Sequence, residues 1–329
     1  MSQAAEAVAK SGWREALGPE ELRGLLRAND WRGWLSVGLD WALVAAAMAL
    51  VAVWPNPLSV VAALCAIGGR QLGLAVMMHE AAHGSLFRSR ALNEWVGQWL
   101  CAYPIWADLR PYRRYHLKHH AYNWTDKDPD LDLATKFPVS RDSMRRKVWR
   151  DLSGQVAWKR IRAILRRDLA GAPESKSARI RAKSVSFGKT AGDGAPGWHN
   201  LIGVTLTNAV LLGLLALLGR PELYLLWLGA WLTTYSLVTR IRSIAEHNMV
   251  TDPGDELKNT RTTLARWWER LLLAPNRVNY HLEHHLLPNA PLYHLPRMHR
   301  LLRERGVLDG ALVAPSYRAV LRDAASKGA

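Results

Sequence analysis

Cysteine is nearly absent from this chain. Its 329 residues contain two, Cys65 and Cys101, and no Cys-x-x-Cys pair. That excludes a disulfide framework, a zinc ribbon and a built-in iron–sulfur centre. Acid is in deficit, with 28 Asp and Glu against 44 Lys and Arg, a net charge of +16. Such a surplus suits nucleic acid or an anionic membrane surface. Long apolar runs favour the membrane, so no nucleic-acid partner is expected. Phenylalanine is scarce, at three residues, whereas tryptophan reaches sixteen. Residues 1–30 lack the basic start, apolar run and small-residue cleavage site of a signal peptide, so no cleaved leader is expected.

Four apolar runs are present instead. Residues 34–54 and 58–78 are each 21 long, separated by Pro55 and Pro57. Residues 201–218 and 223–238 follow later, split by Gly219-Arg-Pro221. About 20 apolar residues span a bilayer, so these predict two transmembrane hairpins. The first hairpin carries Asp40 on one arm and Arg70 on the other. Charges within a span are costly and usually paired, which predicts an Asp40–Arg70 contact. The stretch 92–107, with Trp95, Trp99, Tyr103 and Trp106, is too short to cross and reads as re-entrant or interfacial. Residues 262–273, with Trp267 and Trp268, read as interfacial too.

Residues 141–190 hold fifteen Lys or Arg against four acids. By the positive-inside rule they belong on the cytoplasmic side, where they could also meet anionic headgroups. The part from Gly171 to Gly197, rich in Ser, Gly, Ala and Lys, is expected to be mobile. At the other end of the chain, Gly18-Pro19-Glu20-Glu21 reads as a helix start. The stripe Leu22, Leu25, Leu26, with Trp31 and Trp34 beyond, suits an interfacial helix or a soluble one packed on the rest.

Against this background the histidines stand out. Asn279-Tyr-His-Leu-Glu-His-His285 places His281, His284 and His285 at i, i+3 and i+4, one face of a helix. His116, His119 and His120 repeat the spacing, and His79 and His83 lie four apart in His-Glu-Ala-Ala-His. Eight of the twelve histidines therefore fall in three clusters. His247 stands alone after an apolar run. Imidazole is the commonest side-chain ligand for iron, zinc and copper. An even number of spans separates the clusters, so all nine histidines reach the basic side of the membrane. The acidic run 125–132 reads either as a solvated Asp/Pro turn or as carboxylates steadying ligand imidazoles.

These residues resemble the membrane fatty acid desaturase family, the histidine-box di-iron desaturase/hydroxylase superfamily. The matching pieces are His79-Glu-Ala-Ala-His83, His116-Leu-Lys-His-His120 and His281-Leu-Glu-His-His285, with Asn279 to Pro288 as context. The resemblance runs from about Trp34 to His299. It implies a di-iron site held by histidines beneath four transmembrane helices, with dioxygen and an external electron donor. Two departures are visible. Ser243 stands where some acyl-chain desaturases of the family place an Asn four residues before the isolated histidine, and the first box has three intervening residues where acyl-CoA desaturases have four. Both weigh against an acyl-CoA substrate.

The chemistry points the same way. Taking hydrogen from an unactivated alkyl chain is beyond protein side chains and needs a metal–oxygen oxidant. Iron cycles between oxidation states and zinc does not. Nine histidines, His79, His83, His116, His119, His120, His247, His281, His284 and His285, suit two irons better than one. Glu80, Glu246 and Glu283 each adjoin one of these histidines in sequence and are expected to orient imidazoles or shuttle protons. His294 and His299 read as structural or as outer supports, and His199 as interfacial.

The expected fold is an all-α integral membrane protein. An N-terminal interfacial segment (1–33) precedes a membrane domain (34–300) of four spans, in which a cytoplasmic helical cap holds the metal site. The basic insert (141–197) lies within that domain, and a tail (301–329) follows. The expected activity is desaturation of a lipid acyl chain in the inner membrane, with the metal site on the cytoplasmic side. The donor would be a separate ferredoxin, rubredoxin or cytochrome b5-type protein. A hydroxylase or ketolase of a hydrocarbon, terpenoid or carotenoid is the main alternative. A His-Glu-x-x-His zinc peptidase, with Glu80 as base, or a non-catalytic membrane scaffold are remoter ones.

Overall fold

A computed structural model describes residues 12–170 and 197–328. The segment expected to be mobile, 171–197, lies almost wholly outside the described residues. What is described is mostly helix, with one two-residue strand pair.

Helix α1 (Pro19–Leu25) starts where the sequence marks it, with Pro19 in its first turn and Glu21 reaching back to the Gly18 N–H at 2.9 Å. Leu25 is fully buried, so this helix packs on the rest of the protein, whereas Trp31, 73% exposed, does not. Helix α2 (Asp30–Val53) and helix α3 (Pro57–His83) form the first hairpin. The turn is set locally. The Asn56 side chain caps α3 by accepting from the Leu58 and Ser59 N–H groups at 3.0 and 3.1 Å, and Pro57 opens the helix. Gly84, at φ 72°, closes it in the left-handed region that glycine enters freely. Capping fixes both ends, so α3 runs past the apolar stretch without a break and carries His79 and His83 on its last turns.

Helix α3 is the axis of the molecule. From Ile67 to Ala82 it is buried all round, because α2 and the later segments 97–122, 224–247 and 267–277 pack on it. The predicted charge pair forms inside this packing. An Arg70 guanidinium nitrogen lies 3.0 Å from an Asp40 oxygen, and both residues are buried. Arg70 also donates to the backbone carbonyls of Arg270 and Leu271, and Asn276 donates to Asp40 at 2.7 Å.

After α3 the chain forms α4 (Arg90–Val96), a wider π-helical turn (Gly97–Ala102) and a tight turn (Tyr103–Ile105) before reversing at Trp106. The stretch is therefore a broken helix, none of whose pieces is long enough to cross a membrane. Helix α5 (Leu109–Tyr122) carries the second histidine cluster, and a single helical turn (Leu131–Ala134) follows the acidic loop. The basic insert begins as two helices, α6 (Arg141–Leu152) and α7 (Gln155–Ala170).

Helix α8 (Trp198–Leu217) is the third helix long and apolar enough to cross a membrane. The fourth expected span is built differently. It is divided into α9 (Tyr224–Leu232) and α10 (Thr234–His247), broken at Thr233, and neither half alone is a span by length. The break seats Thr234 on α3, where its hydroxyl donates to the Leu64 carbonyl at 2.6 Å. Gly68 lies directly under that side chain, and a Cβ there would collide with it.

The remainder folds over the histidine-bearing ends as α11 (Trp267–Leu272), α12 (His281–Leu286), α13 (Leu295–Glu304) and α14 (Tyr317–Ala324). Helix α13 runs across residue 300. Strand β1 (Thr262–Thr263) pairs in parallel with β2 (Val313–Ala314), Thr262 against Val313. The chain beyond residue 301 thus packs back on the rest of the protein, with Tyr317 buried.

Candidate metal centre

The three clusters and the lone histidine arrive from four helix ends. The C-terminal end of α3 brings His79 and His83, α5 brings His116, His119 and His120, the end of α10 brings His247, and α12 brings His281, His284 and His285. All nine meet. His79, His83, His116, His120 and His284 form one group whose ligand-capable atoms lie within 4.8 Å of one another. His119, His247 and His285 form a second such group, and His281 joins His247 beside it together with Glu246. Nε2 atoms face each other at 2.9 Å between His116 and His120, 3.0 Å between His120 and His284, and 2.8 Å between His247 and His281. The stacked rings of His120 and His285, 4.3 Å apart, join the two groups.

The protonation states suit metal binding. Burial, followed by the charge of neighbouring imidazoles, pushes His116, His120, His281, His284 and His285 well below their ordinary pKa. Neutral imidazole keeps a lone pair for a ligand. His119 differs. Burial pulls its pKa down, but the Asp128 hydrogen bond and the charges of Asp130, Asp128 and Glu246 outweigh this and hold it above the ordinary value.

The nitrogens also test the fit of a metal. Both ring nitrogens of His79 and of His83, Nε2 of His119 and His285, and Nδ1 of His247 and His284 are buried without a hydrogen-bond partner. Buried polar atoms are normally satisfied, and a concentration of orphaned lone pairs at one point is what a pair of cations would satisfy. An all-imidazole shell with one nearby carboxylate fits iron.

The surrounding carboxylates divide by role. The acidic loop holds a ligand candidate: Asp128 lies 2.8 Å from His119 Nδ1, which leaves Nε2 pointing at the cluster. The loop is itself tied down, since Asp128 accepts from the Trp124 and Asp130 N–H groups at 3.0 and 2.8 Å. Glu246 reaches 3.7 Å from His281 Nδ1 while bound to Arg242 at 2.6 Å. One Glu80 oxygen lies 3.6 Å from His79 Nδ1, but the other accepts from the Leu292 N–H and the Ser85 hydroxyl. Glu80 is therefore anchored as a support, unlike the free base a peptidase needs. Glu283 turns to His299 at 2.6 Å and to the Thr262 hydroxyl at 2.5 Å. It braces α12 rather than an imidazole of the cluster.

Several supports are not marked by the motifs. Arg113 donates to the Ala81 and Ala82 carbonyls at the end of α3 and pairs with Glu94, fixing α5 to α3. Its place three residues before His116 is the only sequence signal. Arg261 gathers the Asn248 and Met249 carbonyls, each at 2.9 Å, and so fixes the end of α10 beside His247.

Two cavities adjoin the centre. One, of about 340 Å³, is lined by His116, His119, His247 and His281 at one end and by residues of α6 and α7 at the other. Ser243 lines it too. The second, of about 370 Å³, lies among Leu39, Leu43, Met77, Leu86 and Leu292 and reaches Glu80.

Comparison with known proteins agrees with this geometry. A family model described as fatty acid desaturase matches residues 52–314. Dihydrorhizobitoxine desaturase of Bradyrhizobium elkanii is 28% identical over 291 residues, covering 84% of this chain and 76% of that protein. The chloroplastic acyl-lipid (7-3)-desaturase of Chlamydomonas reinhardtii is 23% identical over 333 residues, covering 89% of this chain and 60% of that protein.

Proposed function

The chain belongs to the fatty acid desaturase family, a membrane family of oxidoreductases acting with dioxygen, and on that premise we propose that it desaturates a lipid acyl chain at a di-iron centre. The observation that carries the reading is the convergence of nine histidines into adjoining groups of candidate ligands, one of five histidines and two that share His247. His79, His83, His116, His120 and His284 would hold one iron, and His119, His247, His281 and His285 the other. Both of these relatives are named as desaturases, which favours removing hydrogen over adding oxygen. One relative is named for an acyl lipid, and three bilayer-length helices support a substrate drawn from the membrane.

Iron supplies the activation of dioxygen needed to take hydrogen from an unactivated carbon chain. Overall, the –CH2–CH2– unit loses two hydrogens, and dioxygen, two further electrons and two protons end as two waters. What the chain itself contributes is placement. Capped helices fix the imidazoles, burial keeps them neutral, and Asp128 sets the His119 tautomer so that Nε2 faces the metal.

In the membrane, α9 and α10 together make the return crossing, giving four crossings with the cluster on the cytoplasmic side of the inner membrane. The basic helices α6 and α7 support that orientation. Electrons come from a separate ferredoxin, rubredoxin or cytochrome b5-type protein. The test is mass spectrometry of total lipids from a host expressing the wild type or His284→Ala. Species two hydrogens lighter, absent with the variant, are expected. Species one oxygen heavier would make it a hydroxylase, and an unchanged lipid profile in a host with suitable donors would refute a lipid substrate.

A further inference from the structure

The cavity of about 370 Å³ stands apart from the reacting centre, and no histidine lines it among the described residues. It is set between α2, α3 and the segment 267–277, which leads into the third histidine cluster. Leu39 and Leu43 of α2, Met77 of α3 and Leu271 make its walls apolar, and Arg270 and Arg277 add two partly buried cations. Two carboxylates adjoin it, and both are engaged. Asp40 accepts from Arg70 and Asn276, and Glu80, at the buried end, accepts from the Leu292 N–H and the Ser85 hydroxyl. Arg277 and Arg270 pair with no carboxylate among the described residues. The backbone beside them is strained. Asn276 and Arg277 lie in the left-handed region at φ 55° and 68°, where a residue as large as Arg is uncommon. Asp40 and the Gly73 carbonyl hold the Asn276 amide in place, and nothing comparable among the described residues holds Arg277. Outside the cavity the surface is apolar. Leu39 is 50% and Trp267 71% exposed, and Trp34 and Leu35 are exposed at the same end of α2. Exposed tryptophans beside a helix of bilayer length mark the lipid–water interface.

We propose that this cavity holds one anionic phospholipid of the surrounding leaflet, not as substrate but as a brace for the third histidine cluster. Its phosphate lies between Arg270 and Arg277, and an acyl chain runs along α2 past Leu39 and Leu43. From Ser36 to Leu43 the cavity follows α2 for seven residues, on the order of 10 Å at 1.5 Å per residue, enough for part of one chain. Two guanidinium groups suit a phosphate. Net charge then selects the lipid, since a zwitterionic headgroup would bring an ammonium among the arginines. The bound lipid would fill the space between α2 and 267–277 and give Arg277 the partner that its backbone conformation lacks. That segment runs into α12, so what steadies it also steadies His281, His284 and His285. Glu80 stands between the cavity and His79, which keeps the bound chain from the metal centre. The inference needs only a membrane location and is independent of the reaction.

The test is native mass spectrometry of the full chain released into neutral detergent from nanodiscs of phosphatidylcholine with a minority of phosphatidylglycerol. One retained phosphatidylglycerol per chain is expected, weakened about tenfold by Arg270→Gln or Arg277→Gln and by Leu43→Trp, which fills the apolar wall. Both arginines are partly exposed, so their variants should fold. Lys159→Gln removes a cation from the other cavity and is the control for net charge; it should leave retention unchanged. Equal retention of phosphatidylcholine, a free fatty acid in place of phospholipid, or equal loss in the Lys159→Gln control overturns the proposal. So does unchanged retention in both arginine variants. Hydrogen exchange over residues 264–279 reads the bracing. Delipidation should speed exchange there, and phosphatidylglycerol should restore protection in the wild type but not in the arginine variants. Exchange that ignores the lipid overturns the brace. A retained lipid that gains a double bond during turnover makes the cavity a substrate route and overturns it too. Retention by a chain that makes no double bonds refutes the lipid-desaturase reading alone. Double bonds without retention refute this one alone.

Discussion

Arg70 is the most exacting place to test how the membrane-embedded part is held. Arg70→Met keeps the apolar stem and removes the charge. Three contacts disappear: the 3.0 Å pair with Asp40 and the donations to the Arg270 and Leu271 carbonyls. Asp40 is left buried with Asn276 as its one remaining side-chain donor. Breaking a buried pair from one side costs about 3–5 kcal/mol, and each carbonyl stripped of its donor about 1 kcal/mol. The expected loss is about 5–7 kcal/mol. Asp40→Asn should cost less, about 3 kcal/mol, because Arg70 keeps both carbonyls and a neutral acceptor. The double variant should fall short of the sum of the two by about 2–3 kcal/mol, the coupling of residues in one network. Exchanging the two charges should not restore stability. A carboxylate at 70 would face two carbonyls, a guanidinium at 40 would face the Asn276 amide, and Gly73 is packed against Asp40 with no space to spare. Denaturant unfolding in mixed micelles, followed by tryptophan fluorescence, measures all of these. Single losses that add to the double within about 0.5 kcal/mol would refute the coupling.

Other expectations follow from the site. Asp128→Asn frees the His119 tautomer and should lower ferrous-iron affinity about 10- to 100-fold at the second group only, read by equilibrium titration of the metal-free protein. His119 holds its proton to a higher pH than His116, His120 and His284, and metal must displace that proton. As pH falls, the group containing His119 should therefore lose iron first, and simultaneous loss from both groups would contradict this. His299→Ala removes a 2.6 Å partner of the buried Glu283 and should destabilise by about 1–3 kcal/mol while iron stoichiometry, measured by metal analysis, stays unchanged. Gly68→Ala drives a methyl into Thr234 and should cost about 1–3 kcal/mol by overpacking, visible as a lower thermal midpoint.

Much of this protein was legible in its residues because the relevant rules are local. Helical periodicity puts His281, His284 and His285 on one face whatever surrounds them. Asn56-Pro57 and Gly84 bound α3 through capping alone, and apolar length alone marks three bilayer-length helices. A charge on each arm of one hairpin, at similar depth, favours a pair, and the Asp40–Arg70 contact forms. Tertiary structure decided what depends on parts far apart in the chain. The division of the histidines into five and four needs the placement of four helix ends at once. The acidic loop could have been solvated, and packing beside α5 turned Asp128 onto His119. Glu283 adjoins His284 in sequence, yet Thr262 and His299 draw it away from the cluster. The Thr233 break arises because Thr234 must seat on Gly68 and the Leu64 carbonyl of α3, a contact 170 residues distant that no local pattern records.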